Sequence, residues 1–303
     1  KIMTLLAGGL LALLLSVAIG GLIARHASRL GLVVHPTDRS SHYNPTPQGG
    51  GGGVVIAVTF ISMFIVEPEP APAYLILALA FPLALMGWVD DRRPLSATLR
   101  LAVQVIMISV LAATLIGSLR TSMLAPVGLV AISFVALLGG VWWINLFNFM
   151  DGIDGIAGSQ AATMLASALA LASISDPHFA GTAIGSLAFL TVCAVTGFLI
   201  INWPPARIFM GDVGSVWLAF VIFGIALHTV VNGNLKVTTW LILGSIFIAD
   251  ATVTLLARVL RGEKWTRPHR SHAYQLLSRG LATQRTRAHR IVTISVIGLN
   301  MLW

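Results

Sequence analysis

Only 11 of the 303 residues are acidic. Most of them gather in a few short segments: Asp38, Asp90, Asp91, Asp151, Asp154, Asp212, Asp250 and Glu263. The surroundings are apolar, as in Met86-Gly-Trp-Val-Asp90-Asp91, Asn148-Phe-Met-Asp151-Gly-Ile-Asp154 and Ile208-Phe-Met-Gly-Asp212. A carboxylate beside hydrocarbon is costly and is usually kept for function. Carboxylates brought together repel unless a proton or a cation intervenes. Asp and Asn oxygens suit a hard cation such as Mg²⁺, which readily shares its shell with substrate phosphates.

Each cluster also has a structural reading. Asp90-Asp91, followed by Arg92-Arg93-Pro94, could be a solvated helix end. Asp151 and Asp154, each followed by Gly, and Asp212, followed by Val-Gly-Ser, could cap the helices after them. Capping does not require three separate segments on one face each to end in Asp, whereas a shared cation–phosphate site does. His269-Arg270-Ser271-His272, beside Arg267, fits a pyrophosphate or lipid phosphate, or a basic loop touching headgroups. Asp250 lies inside an apolar run with Arg258 two turns on, which favours a structural role.

The elements that must position these residues are membrane helices. Hydrophobic residues make up 56%, charged residues 10%, and mean hydropathy is +0.88. Soluble domains carry about a quarter charged residues. Ten apolar segments follow: 4–24, 51–66, 72–89, 97–117, 123–143, 158–175, 180–202, 213–231, 237–259 and 288–303. The fold class expected is an all-α polytopic bundle of about ten transmembrane helices. The first run is too long for a signal-peptide core and is read as a retained span. One domain over 1–303 is expected, trimmed at both ends. Cys193 stands alone, so no internal disulfide can form.

Ten spans give two alternating sets of loops. Sixteen of the 19 Lys and Arg fall in or beside the set 25–50, 90–96, 144–157, 203–212 and 260–287, and only two in or beside the other. By the positive-inside rule the first set, which holds the acidic clusters, faces the cytoplasm. The same distribution explains the net charge of +8 without nucleic acid, which is not expected as a partner. The Gly run 49–53 serves either as punctuation or as a place where backbone approaches a ligand. A secondary transporter is the rival class, but it would carry its charges near the midplane, where only Asp250 comes close.

The motifs, in order, are His42-Tyr-Asn-Pro45-Thr46-Pro47-Gln48-Gly49-Gly50-Gly51, Asp90-Asp91, Asn145-Leu-Phe-Asn148-Phe-Met-Asp151-Gly152-Ile-Asp154-Gly155, Phe209-Met-Gly211-Asp212-Val-Gly214-Ser215 and His269-Arg-Ser-His272. With them the chain resembles the polyprenyl-phosphate N-acetylhexosamine-1-phosphate transferase superfamily, glycosyltransferase family 4, over nearly its whole length. The resemblance implies transfer of a sugar 1-phosphate from a UDP-amino sugar to undecaprenyl phosphate. UMP would be released, with Mg²⁺ or Mn²⁺ as cofactor, in the bacterial inner membrane with the site facing the cytoplasm. Membrane lipids surround such a protein, and a homodimer is among the assemblies implied.

The resemblance further implies roles. Asp212 binds the metal, with Asn148 as a second ligand. Asp90 and Asp91 are essential, and one acts as a base. Phe209 stacks on uracil, and Asp151 and Asp154 belong to the nucleotide pocket. Arg267, His269, Arg270 and His272 hold the pyrophosphate or the sugar. Pro47-Gln48 stands where many relatives have a basic residue, with Arg39 as the substitute. The His-Arg-Ser-His form is closer to the branch that starts O-antigen and other surface polysaccharides than to the peptidoglycan branch.

Overall fold

The structure is a computed structural model that describes residues 2–35, 45–66, 72–117, 126–263, 270–281 and 285–302. Within hydrocarbon every backbone N–H and C=O must find a partner inside the protein, and a helix does this within one segment. The apolar runs accordingly form α1 (Ile2–Leu30), α2 (Gly51–Ile65), α3 (Pro72–Asp90), α4 (Ala97–Gly117), α5 (Pro126–Met150), α6 (Ile156–Ser175), α7 (Ala183–Asn202), α8 (Asp212–Val231), α9 (Val237–Leu243), α10 (Ser245–Leu260) and α12 (Arg285–Asn300). The short α11 (Ala273–Gly280) lies between the last two. The described β-structure is one antiparallel pair, β1 (Val33–Val34) and β2 (Thr46–Pro47), with Val33 opposite Pro47.

All ten apolar segments carry a helix. Among the described residues seven helices are long and apolar enough to cross a membrane, and eight spans result if the bent pair α9–α10 counts as one. That pair turns by 74° at Gly244. Such a break exposes a helix end, and here a side chain meets it: Gln160 Nε2 donates to Leu243 O at 2.8 Å, and Asn300 Nδ2 donates to Gln160 Oε1 at 2.7 Å. α2 and α12 are shorter, with 15 and 16 residues.

One boundary differs from the sequence reading in a way that matters. Asn145 and Asn148 were expected in a loop over 144–157, but α5 runs on to Met150. The helix continues because both amides find partners inside the bundle. Asn145 Nδ2 donates to Gln104 Oε1 (2.7 Å) and Val141 O (2.8 Å), and Asn148 reaches α8.

α6, α7 and α8 are the most enclosed helices, whereas α1, α4 and α5 expose Leu10, Leu14, Val110, Phe134 and Leu138 outward, as lipid-facing surfaces do. The Gly run turns out to serve helix packing. A Cβ on Gly51 would lie 2.3 Å from the Cα of Gly214, so α2 and α8 touch backbone to backbone at their first turns. The ends of α3, α5 and α7 and the starts of α2, α4, α6 and α8 therefore meet at one end of the bundle.

Candidate active site

Two motifs far apart in sequence are stitched together by their backbones. Phe209 N donates to Pro47 O, Gly50 N to Phe209 O and Gly51 N to Met210 O, each at 2.9 Å. Gln48 Nε2 donates to the carbonyl of Asp91, which joins the end of α3 to the same strip. The chain then turns at Gly211, with φ of 74°, into α8.

Asp91 closes that turn from outside. Asp212 N donates to its Oδ1 at 2.8 Å and Val213 N to its Oδ2 at 3.2 Å. These N–H groups have no partner within the helix, and the positive end of the helix dipole favours a carboxylate there. A side chain on Gly211 would sit 2.5 Å from Asp91 Oδ2 in a left-handed backbone. Gly211→Ala is therefore expected to cost about 1–3 kcal/mol of strain and to displace Asp91. Thermal unfolding checks this, and an unchanged melting temperature would show that the cap is not held there.

Asp212 and Asp90 share one cation. Arg100 Nη1 lies 2.9 Å from Asp90 Oδ2 and 3.6 Å from Asp212 Oδ2. Asn148 Nδ2 donates to Asp212 Oδ1 at 2.8 Å and to Ser215 Oγ at 2.9 Å. The remaining Asp90 oxygen accepts Leu95 N. The Asp90 side chain is 8% exposed and that of Asp212 28%, so Asp212 is the one that faces open space.

Asp151 follows the last residue of α5. Burial, and then the charges of Asp212, Asp91 and Asp154, push its carboxyl up to about 8. Burial and the charge of Asp212 push Asp91 up to about 7, against the pull of its two N–H bonds and with Asp90 adding to the rise. Five carboxylates, Asp90, Asp91, Asp151, Asp154 and Asp212, thus act on one another through space.

Tyr274 braces this corner from α11. Its hydroxyl donates to Phe149 O at 3.0 Å, and burial and the charges of Asp151 and Asp250 raise it above the ordinary phenol range. Asp250 caps α11, accepting Ala273 N (2.8 Å) and Tyr274 N (3.0 Å), with His272 Nδ1 3.4 Å away. His272 is buried and stacks on Tyr274.

The structure brings together Asp90, Asp91, Asn148, Asp151, Asp212 and the Phe209 strip. It places Asp154 and His272 in buried pairs at the edge of this group. Arg270, half-buried, lends its carbonyl to Arg279 Nη2. Arg39, Arg267 and His269 lie outside the described residues. The sequence reading quoted Gln48 and Ser215 within motifs without giving them a role, and passed over Arg100, Tyr274 and His289. For Arg100 the signal was present: a lone cation in the first turn of an apolar helix, ten residues after Asp90.

Among the described residues no three His, Cys, Asp or Glu side chains form a metal cage. The donor set still fits a hard cation. Its carboxylate oxygens outnumber the one guanidinium that faces them among the described residues, that of Arg100, and Mg²⁺ characteristically takes one or two carboxylates and completes its shell with water and phosphate. Asp212 is the carboxylate open enough to reach such an ion. Asn148 could join only through its carbonyl, because its amide nitrogen donates to Asp212.

A sequence model of the family described as "Glycosyl transferase family 4" matches residues 73–230, just over half of the chain, and the chain belongs to that family. Relatives span most of it. It is 26% identical to the "Probable undecaprenyl-phosphate N-acetylglucosaminyl 1-phosphate transferase" of Bacillus subtilis strain 168, covering 95% of this chain and 80% of that one. It is 27% identical to the "Undecaprenyl-phosphate alpha-N-acetylglucosaminyl 1-phosphate transferase" of Escherichia coli strain K12, over 89% and 75% respectively. A "Phospho-N-acetylmuramoyl-pentapeptide-transferase" of Trichormus variabilis is 30% identical over 60% of this chain and 51% of its own length.

Proposed function

We propose that this chain transfers a sugar 1-phosphate from a UDP-sugar to undecaprenyl phosphate, releasing UMP and starting a lipid-linked glycan. The sugar is an N-acetylhexosamine or a deoxy-amino sugar, and the pathway one that builds a surface polysaccharide such as O-antigen. The observation that carries this reading is the meeting of Asp91, Asp212, Asn148 and Asp151 at one end of the bundle. That end is made of the arginine-rich set of loops, so the positive-inside rule turns it toward the cytoplasm of the inner membrane, where nucleotide sugars are. The relatives, undecaprenyl-phosphate N-acetylglucosaminyl 1-phosphate transferases by name, support the acceptor and make UDP-N-acetylglucosamine the first donor to test.

Phosphoryl transfer depends mainly on alignment and charge neutralisation. Mg²⁺ held by Asp212, with Asn148 as the second candidate ligand, would supply Lewis-acid neutralisation of the diphosphate charge; Mn²⁺ is the alternative ion. Arg100 adds a fixed positive charge beside Asp212 and Asp90. The lipid phosphate oxygen attacks the phosphorus bearing the sugar, and the bond from that phosphorus to the UMP oxygen breaks. An already ionised phosphate needs no strong base. Both oxygens of Asp91 accept helix N–H groups, and Asp90 holds Leu95 N and Arg100, which supports positioning roles for the pair in a direct displacement. In this reading Phe209 and Asp151 would hold the uridine, and Arg267, His269 and Arg270, with Arg39, the diphosphate and sugar, while His272 serves through its buried pair with Asp250.

The test is transfer from radiolabelled UDP-N-acetylglucosamine, and then from a panel of UDP-amino sugars, to undecaprenyl phosphate with Mg²⁺. Labelled lipid and an equal amount of UMP are expected. No lipid product from any donor would overturn the reading. Label trapped on Asp90 or Asp91 without acceptor would replace direct displacement by a covalent route.

A further inference from the structure

We propose that His289 is a positioning residue that acts through Asp154. Together they tie the start of α12 to the two loops that carry Asp151 and lead into Phe209. This rests on the function proposed above only for its kinetic arm.

Asp154 is committed to other parts of the chain. Its Oδ2 accepts Ala206 N at 3.1 Å and lies 3.3 Å from His289 Nδ1, which donates to it when that nitrogen carries the ring proton; Asp154 N, 3.5 Å from the same Nδ1, is then a contact and not a second bond. The two side chains are 13% and 4% exposed, so both are largely enclosed by protein. Two further residues in the first turns of α12 reach the same loops. Thr293 Oγ1 donates to Asp154 O at 3.0 Å, and Arg290 Nη2 donates to Pro204 O at 3.0 Å. On the far side Asn202 joins the loops again, its Oδ1 accepting Gly155 N (3.0 Å) and its Nδ2 donating to Ile208 O (2.8 Å).

The consequence is geometric. Loop 151–155 begins with Asp151, and loop 203–211 ends with Phe209, Gly211 and the entry to Asp212. Their spacing is set by Asp154 from one side and Asn202 from the other. Truncating His289 leaves a buried carboxylate one partner short, and that carboxylate is what holds Ala206 N. The loops then loosen together, and Asp151, Phe209 and Asp212, which the proposed function assigns to the donor and its cation, lose alignment. Plain packing of α12 would predict something different: any smaller side chain would do the same harm.

The experiment compares the full chain with His289→Ala, His289→Asn, Asp154→Ala and the double variant. An Asn amide supplies both a donor and an acceptor at about the radius of Nδ1. His289→Ala is expected to raise KM for the UDP-sugar about tenfold or more, with KM for undecaprenyl phosphate unchanged. Hydrogen exchange over 151–157 and 203–210 should quicken in both segments at once. His289→Asn should restore both readouts, and the double variant should be no worse than Asp154→Ala. Unchanged exchange in His289→Ala, equal damage from Asn and Ala, or additive single effects would each overturn the proposal. If the parent chain transfers no sugar phosphate, the function above fails while the exchange arm still decides this inference. Should His289→Ala not fold, Thr293→Val, which removes only the hydroxyl on the Asp154 carbonyl, carries the same exchange test.

Discussion

Asp212→Asn is expected to lower sugar-phosphate transfer on the order of 1,000-fold while the chain folds at least as stably as its parent. The substitution is nearly isosteric. It keeps an oxygen to accept from Asn148 Nδ2 and the main-chain N–H groups that Asp91 caps. What disappears is one negative charge at the most open carboxylate of the cluster. That charge burdens its neighbours, because it helps to push up both Asp91 and Asp151. Removing it relieves repulsion, so melting temperature in the absence of divalent cation should hold or rise, while the ligand for the cation is lost. Sites that bind charge store this kind of conflict, and relieving it exchanges function for stability. A variant that kept more than about a tenth of parental transfer, well inside the expected loss, would remove Asp212 from the metal role.

The second expectation concerns pH. Asp91 and Asp151 rise from 3.8 to about 7 and about 8. Between pH ~4 and pH ~8 the folded chain therefore keeps protons that the unfolded chain has released. Stability contributed by these groups falls as pH rises through that window, and the full penalty is present above it. For Asp91 alone, moving from 3.8 to about 7 corresponds to about 4 kcal/mol. A divalent cation can take the place of the protons. Added Mg²⁺ should thus raise the melting temperature by about 5 °C near pH ~8.5 and hardly at all near pH ~5.5, with protons released on binding. Asp212→Asn should abolish the gain. Melting curves with and without Mg²⁺ at the two pH values decide this, and equal stabilisation at both would break the link between cation and carboxylates.

Much of this protein was legible in its sequence. Scarcity of charge and long apolar runs left the membrane as the only solvent in which the chain could bury itself, and hydrocarbon permits helices in such runs. The skew of arginines placed the acidic clusters on one face. Asp90-Asp91, Asn148, Asp151 and Asp212 could be singled out because each carries a polar group into apolar context. The helix lengths were less legible, since α9–α10 breaks at Gly244, and the carbonyl of Leu243 just before it is met by Gln160 from another helix.

The acids at one membrane face therefore came from composition and order alone, because charge and hydropathy are local properties that can be summed along a chain. Their division into tasks came only with the tertiary structure. Asp91 and Asp212 look alike as letters, yet one caps a helix with both oxygens and the other faces open space. Asp154, which the resemblance assigns to the nucleotide pocket, also engages His289 and Ala206, 135 and 52 residues away. Which carboxylate is spent on backbone and which is left for a cation depends on partners distant in sequence, and only packing brings those within hydrogen-bond reach.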